Sequence, residues 1–319
     1  MVAGRLGGDD QKGPRLDHGG GHRSVHALLP RAFPHAAGRR PIGVNGACGY
    51  GTSLLLGVLQ GLTEFLPVSS SGHLVLVQRW LRLDAGSPQM LLFDVLAHVG
   101  TLAAVLVVFR HSVRRFVRRL ALEMESADET PKQAWRFLGL GILGFVPSAV
   151  AGLTLQRGFE AGFDSPKVVA AGLFLTGVLL MGTRGRGGKK GWKSIRAWEA
   201  LLIGLAQAAA ILPGISRSGA TIGAGLYCGW RPRWAAEFSF LIAVPAIVGA
   251  ALVKLWDTVR LPADQLDAIA WGPVLTGAVV SFVVGWGALR ALLAVLRRTR
   301  LHLFAPYCWL AAVAALLTA

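Results

Sequence analysis

The sequence predicts an all-α polytopic membrane protein built as an inverted repeat, with two re-entrant helix–loop–helix pairs and about six transmembrane spans of roughly 20 residues each. Three observations carry that prediction. Hydrophobic residues make up 53% of the 319-residue chain and charged residues only 16%, and the mean hydropathy is +0.51, so several segments are apolar enough to cross a bilayer. A polar stretch, Glu64-Phe65-Leu66-Pro67-Val68-Ser69-Ser70-Ser71-Gly72-His73, interrupts two apolar runs with an acid, three hydroxyls and an imidazole. A second such stretch, Leu212-Pro213-Gly214-Ile215-Ser216-Arg217-Ser218-Gly219, follows at an offset of 147 residues.

Pro67 and Gly72 break a helix, because proline lacks the N–H and glycine costs about 1 kcal/mol relative to alanine. Inside a membrane, broken backbone survives only where protein or a water-filled cavity satisfies its polar groups. An acid there costs roughly 2.5–3.5 kcal/mol on insertion scales, so Glu64 marks a functional site. At the constant offset Gly57 meets Gly204, Gln60 meets Gln207, Ser69 meets Ser216, Ser71 meets Ser218 and Gly72 meets Gly219, with the prolines one residue out of step. Paired interrupted helices in corresponding halves point to a site at the repeat interface. The copies have diverged: Glu64 and His73 belong to the first, and Arg217 stands in the second opposite Ser70.

Taken in order, residues 1–45 are rich in Gly, Arg, His and Pro and read as a disordered basic tail. His18, His22 and His26 recur at four-residue spacing, but the glycines around them disfavour the helix that a metal site would need. Residues 50–196 form the first repeat. Short helices at 50–64 and 73–82 flank the first break, and 90–109 is a full span. Residues 110–119 read as an amphipathic helix on the membrane surface, Val113, Phe116, Val117 and Leu120 on one face and Arg114, Arg115, Arg118 and Arg119 on the other. After a polar loop at 123–132, residues 135–156 and 168–183 are further spans. Residues 197–319 form the second repeat: the short pair 198–212 and 220–228, then spans at 234–256, 273–296 and 303–317. Asp94 and His98 lie one turn apart on one helix face and read as a buried hydrogen-bonded pair. Gly277, Gly285 and Gly287 suit close helix packing.

Each half thus holds one re-entrant pair and three crossings. Three is odd, so the second break enters from the opposite face. Loops 110–136, 184–196, 231–233 and 297–300 hold 18 Lys and Arg, against six in loops 79–89, 157–167 and 254–270. The positive-inside rule then places the first group in the cytoplasm and opens the first break to the outside; the basic tail lies outside, against the rule. The net charge of +16 reflects these loops, and no nucleic-acid partner is expected. Cys48, Cys228 and Cys308 have neither ligand spacing nor a disulfide framework and read as small apolar residues. Homo-oligomerisation is left open.

If the breaks meet near mid-membrane, Glu64, Ser69, Ser70, Ser71, His73, Ser216, Arg217, Ser218 and Thr221 converge. Arginine offers a planar fork that suits phosphate. Seryl hydroxyls and helix N-termini add donors for anionic oxygens. Glutamate can ligate Mg²⁺ or Ca²⁺, and histidine can move a proton near pH 7. Such a set suits phosphoryl transfer. Each member also has a structural reading, since serines can satisfy broken backbone and a lone histidine can pack in a core. Polar residues shared between two repeated motifs are harder to explain that way. The residues alone leave two readings standing: a phosphate-handling enzyme, or a transporter of an anion or lipid, such as a lipid-carrier translocase or an ion-coupled transporter.

The run Gln60-Gly61-Leu62-Thr63-Glu64-Phe65-Leu66-Pro67-Val68-Ser69-Ser70-Ser71-Gly72-His73-Leu74 closely resembles the first signature of the undecaprenyl-diphosphate phosphatases of the bacitracin-resistance type. Leu212 through Thr221 resembles the second, and Glu237 through Pro245 and Phe93 through Thr101 resemble further blocks. The likeness covers residues 50–319. It implies an integral enzyme of the bacterial plasma membrane that hydrolyses undecaprenyl diphosphate, a polyprenyl diphosphate lipid, to the monophosphate and inorganic phosphate, recycling the lipid carrier of cell-wall synthesis. The family's functional positions match Glu64, Ser70, His73 and Arg217, with Ser70 as nucleophile or a metal-activated water in its place. Some members have a second acid where this chain has Gln60, which keeps its hydrogen-bonding capacity. Gln60, Ser69, Ser71, Ser216, Ser218 and Thr221 are expected to bind substrate, and Glu64 to hold Mg²⁺ or Ca²⁺. The other membrane phosphatases, related to phosphatidic acid phosphatases, need a histidine after the Ser-Arg pair at a spacing this chain lacks.

Overall fold

The computed structural model describes residues 49–125, 132–154, 162, 165–267 and 269–317. The expected tail with its three histidines, Cys48 and most of the loop 123–132 lie outside these residues. The described residues are helical: α1 (Tyr50–Phe65), α2 (Ser70–Trp80), α3 (Pro88–Glu125), α4 (Gln133–Thr154), α5 (Pro166–Met181), α6 (Ala197–Ala209), α7 (Arg217–Tyr227), α8 (Pro232–Val259), the short α9 (Ala263–Asp267), α10 (Trp271–Arg297) and α11 (Ala305–Leu317). An isolated bridge between Lys190 and Trp230 is the one β pairing among them.

Helix α1 shows why the sequence folds this way. Its buried stripe is Ser53, Leu56, Gly57, Gln60, Gly61 and Glu64, while Leu54, Leu55, Val58 and Leu62 are exposed. The helix is amphipathic with its polar groups turned inward, the pattern expected where lipid is the solvent. Small residues then let backbones approach. α1 packs mainly on α10, where a Cβ at Gly57 would lie 2.7 Å from the Gly277 carbonyl oxygen and one at Gly61 would lie 2.8 Å from the Gly285 nitrogen. In the other direction α6 packs on α4, with Gly204 against the Gly144 backbone. Each broken pair therefore docks onto a long helix from the opposite half of the chain. Between them α3 and α8 cross, joined by an aromatic cluster in which the Phe240 ring lies 5.9 Å from Phe65 and 5.5 Å from Phe109.

One expectation needs correction. The basic segment 110–119 is not a separate helix on the surface but the continuation of α3, which runs unbroken for 38 residues. No Gly or Pro lies between Gly100 and Glu125 to interrupt its hydrogen bonds, and Phe116 anchors it against Phe137 with centroids 5.7 Å apart. At 1.5 Å per residue the helix reaches about 57 Å, well beyond a hydrocarbon layer of about 30 Å. Among the described residues four helices are long and apolar enough to cross a membrane by length and composition, Pro88–Met124, Gln133–Thr154, Pro232–Val253 and Trp271–Arg297, and three shorter apolar helices, Pro166–Met181, Ala197–Ala209 and Leu301–Leu317, stand beside them. α5 has 16 residues and α11 only 13, with a 3-10 turn at Leu301–Phe304 before it.

Candidate active site

The site lies where the two breaks touch. The first is abrupt: α1 ends at Phe65, α2 starts at Ser70, and Val68 N bonds Leu66 O at 2.7 Å. Ser69 is the N-cap of α2, its Oγ accepting from Gly72 N at 3.3 Å. It sits at φ 71°, the left-handed region that non-glycine residues occupy at a cost. The second break is longer. α6 tapers through turns at Ile211 and Leu212, Gly214 takes the positive φ of 91°, and Ser216 caps α7 by accepting from Gly219 N at 3.1 Å. A Cβ on Gly72 would lie 3.1 Å from Gly214 Cα, and one on Gly219 would lie 3.2 Å from Pro67 Cβ. A methyl group at either place would press the neighbouring break back by a few tenths of an ångström.

Glu64, at the end of α1 and 6% exposed, is the hub. Arg217, first residue of α7, donates to Glu64 Oε1 as an ion pair between the two halves. Ser70 Oγ donates to Glu64 Oε2 at 2.7 Å, and Gln60 Nε2 donates to the same oxygen at 3.0 Å. His98 Nε2 on α3 stands 3.7 Å from Glu64 Oε2. Ser70, Ser71, Arg217 and His98 are half-buried and form the accessible rim. The arrangement brings a hydroxyl onto a carboxylate and sets a guanidinium beside both, which suits attack on a phosphorus centre with the developing charge neutralised.

His73 faces away from Ser70. Its Nδ1 bonds Ser69 O at 2.7 Å and its Nε2 meets Tyr307 Oη at 2.8 Å, so neither ring nitrogen faces Ser70. Thr221 is fully buried and spends its hydroxyl on Arg217 O at 2.7 Å and on Ser239 Oγ. Ser216 and Ser218, both 2% exposed, lie 3.3 Å apart at their Oγ atoms, and Ser218 Oγ also reaches Leu66 O at 3.4 Å. Ser71 Oγ lies 3.4 Å from Ser69 Oγ. These hydroxyls hold the breaks in shape, and of the serines Ser70 alone bonds the carboxylate.

Asp94 and His98 are hydrogen-bonded, through the Asp94 main chain rather than its carboxylate. His98 Nδ1 bonds the Asp94 main-chain oxygen at 2.7 Å, freeing Nε2 for Glu64, and the Asp94 carboxylate accepts from Gln78 Nε2 at 3.1 Å. Sequence reasoning placed the two on one helix face without seeing that the face turns to the first break. Tyr307 and Thr176 went unnoticed. Thr176 on α5 braces the second break, donating to Gly214 O at 2.9 Å and accepting from Ser216 N at 3.0 Å.

Among the described residues no group of three or more His, Cys, Asp and Glu side chains could hold a metal. Beside Glu64 one buried oxygen lacks a partner, Gln60 Oε1, on the side chain whose nitrogen bonds Glu64; Gln207 Oε1, its counterpart in the second stretch, and Gln133 Oε1 lack one too. A magnesium-type cation takes one or two carboxylates and completes its shell with phosphate oxygens and water. Glu64 and Gln60 Oε1 fit such a site, provided the substrate supplies the rest.

Residues 53–314 match the family described as bacitracin resistance protein BacA. The chain is 44% identical over 259 residues to an undecaprenyl-diphosphatase of Syntrophotalea carbinolica, covering 81% of this chain and 94% of the relative. It is 43% identical over 265 residues to one of Desulfosudis oleivorans, with 81% and 94% covered. To one of Korarchaeum cryptofilum it is 42% identical over 270 residues, with 83% and 97% covered.

Proposed function

The chain belongs to the bacitracin resistance protein BacA family, and from that premise we propose that it is a multi-pass membrane phosphatase that hydrolyses undecaprenyl diphosphate to undecaprenyl phosphate and inorganic phosphate. The observation that carries this reading to particular atoms is the contact of Ser70 Oγ with Glu64 Oε2 at 2.7 Å, with Arg217 on the other carboxylate oxygen. Ser70 Oγ attacks the terminal phosphorus and its proton passes to Glu64 Oε2. The new P–O bond forms as the bridging P–O bond breaks, and undecaprenyl phosphate leaves. Arg217 shifts its fork from Glu64 to the non-bridging oxygens of the transferred group. Water then attacks the phosphoserine, and inorganic phosphate leaves as the proton returns to Ser70. Mg²⁺ or Ca²⁺, held by Glu64 and Gln60 Oε1, would neutralise charge on the diphosphate.

Finer features belong to the same proposal. The mutual docking of α1 on α10 and α6 on α4 supports an inverted repeat of residues 50–196 and 197–319, with α1–α2 and α6–α7 as re-entrant pairs. The basic end of α3 and the loop 184–196 face the cytoplasm of a bacterial plasma membrane, and Ser70 is approached from outside.

The experiment is phosphate release from a polyprenyl diphosphate by the purified protein in detergent, where a transporter has no gradient to work on. Wild type should turn over and chelator should abolish release; an Arg217→Ala variant with normal turnover would sink the assignment. For sidedness, Ala85→Cys and Lys189→Cys, both exposed positions, are probed in a background whose native cysteines are serine. An impermeant thiol reagent should label position 85 in intact cells and spare 189. The reverse pattern overturns the orientation.

A further inference from the structure

His73 is 8% exposed and lies one helical turn from Ser69, whose carbonyl oxygen meets its Nδ1 at 2.7 Å. A carbonyl only accepts, so Nδ1 carries a proton whatever the charge of the ring. That leaves Nε2 as the one nitrogen able to gain or lose a proton, and Nε2 faces the Tyr307 hydroxyl at 2.8 Å. The two rings run parallel within 8°, with centroids 5.6 Å apart. A phenol hydroxyl can donate to a neutral imidazole and accept from a protonated one, so this contact persists through a change of charge with no movement of either ring.

The position of Tyr307 is over-determined. It stands in the first turn of α11, and its neighbour Cys308 donates from Sγ to Pro67 O at 3.5 Å, in the first break itself. Further along, Ala312 and Ala315 of α11 pack with Val169, Ala170 and Leu173 of α5, and Val75 and Leu76 of α2 lie against them. α11 is thus fixed against the segment that bears His73. Unlike His73, Tyr307 is 48% exposed, so a buried imidazole is hydrogen-bonded to a residue at the surface of the fold.

We propose that Tyr307 is a positioning residue for His73: its hydroxyl holds the imidazole with Nε2 turned away from Ser70, and carries the proton that Nε2 exchanges during turnover. The proposal rests on the phosphatase reading for its kinetic arm. It divides labour at the site. Glu64 takes the Ser70 proton and returns it as the phosphoserine is cleaved, and the proton that the hydrolytic water loses on forming its P–O bond passes through Tyr307 Oη to His73 Nε2 and is released by the same hydroxyl.

The test is Tyr307→Phe, which keeps the ring and removes the hydroxyl. We expect kcat to fall about tenfold or more with KM changed less than about twofold, and the pH–rate profile to change shape. In ¹⁵N spectra of histidine-labelled protein, with His73 assigned by its disappearance in His73→Gln, wild type should show the Nδ1–H tautomer with an Nε2 resonance shifted by the hydrogen bond from Tyr307, and Tyr307→Phe should lose that shift. A Tyr307→Phe protein with wild-type kcat, pH profile and Nε2 shift overturns the proposal, and so does one whose only change is a lower melting temperature. The spectra are read on resting protein. Wild type that releases no phosphate therefore overturns the phosphatase reading, while the Nε2 shift still decides the role of Tyr307.

Discussion

The two breaks are copies of one motif put to different uses. In the second, polar groups serve the backbone: Ser216 caps α7, Thr176 ties Gly214 O to Ser216 N, and a glycine takes the left-handed conformation. In the first, a serine takes that conformation, a carboxylate is buried among donors, and a hydroxyl is aimed at it. A non-glycine residue held there costs of order 1–3 kcal/mol, and such strain gathers at functional sites. The difference teaches how two similar breaks come to unequal parts. The second keeps its hydrogen bonds closed and lends a single guanidinium, and the first bears the strain and holds the carboxylate and the hydroxyl on it.

Substitutions can break or sharpen this contrast. The largest effect should come from the link between the copies. Arg217→Ala leaves Glu64 buried without its cation, and turnover should fall at least about 100-fold. Arg217→Lys should not restore it, because a point charge cannot replace a planar fork. Steady-state kinetics in detergent decides both. Ser70→Ala should also remove about 100-fold or more of kcat while the melting temperature holds, since the lost hydroxyl sits on the accessible rim. Full activity there would turn the chemistry over to an activated water. In the second break the effect should move from rate to stability. Thr176→Val strands the Gly214 carbonyl and the Ser216 N–H, each buried, and should cost about 1–3 kcal/mol in thermal unfolding. Ser216→Ala should lose a cap worth about 1 kcal/mol with kcat nearly unchanged. The smallest change is Ser69→Gly, where relief of the left-handed backbone offsets the lost cap. Stability should move by less than about 1 kcal/mol, and a larger loss would mean that Ser69 Oγ does more than cap.

Much of the site was legible because it is written locally. Glu64 and Ser70 are six residues apart, and the repeat offset places Arg217 opposite Ser70. What hid was long-range or directional. Tyr307 lies 234 residues from His73, and no periodicity links them. Asp94 and His98 were seen as neighbours, but a helix face does not announce whether a side chain prefers its own backbone, as His98 Nδ1 does. Thr221 and Ser218 read as ligands because hydroxyls beside Arg217 suit phosphate, and a sequence does not show that both are buried with their hydroxyls on carbonyls. In the fold, the run of arginines after Phe109 read as a change of element. Charge alone does not end a helix, and Phe116 carries α3 onward.

The Glu64–Arg217 pair spans 153 residues of sequence, and Tyr307 comes 90 residues after Arg217. During synthesis Glu64 and Ser70 are therefore made before Arg217 exists, and the ion pair forms only when the later helices pack back against the earlier ones. On the reading proposed above, a chain that ends before Arg217 should release no phosphate, which ties activity to assembly.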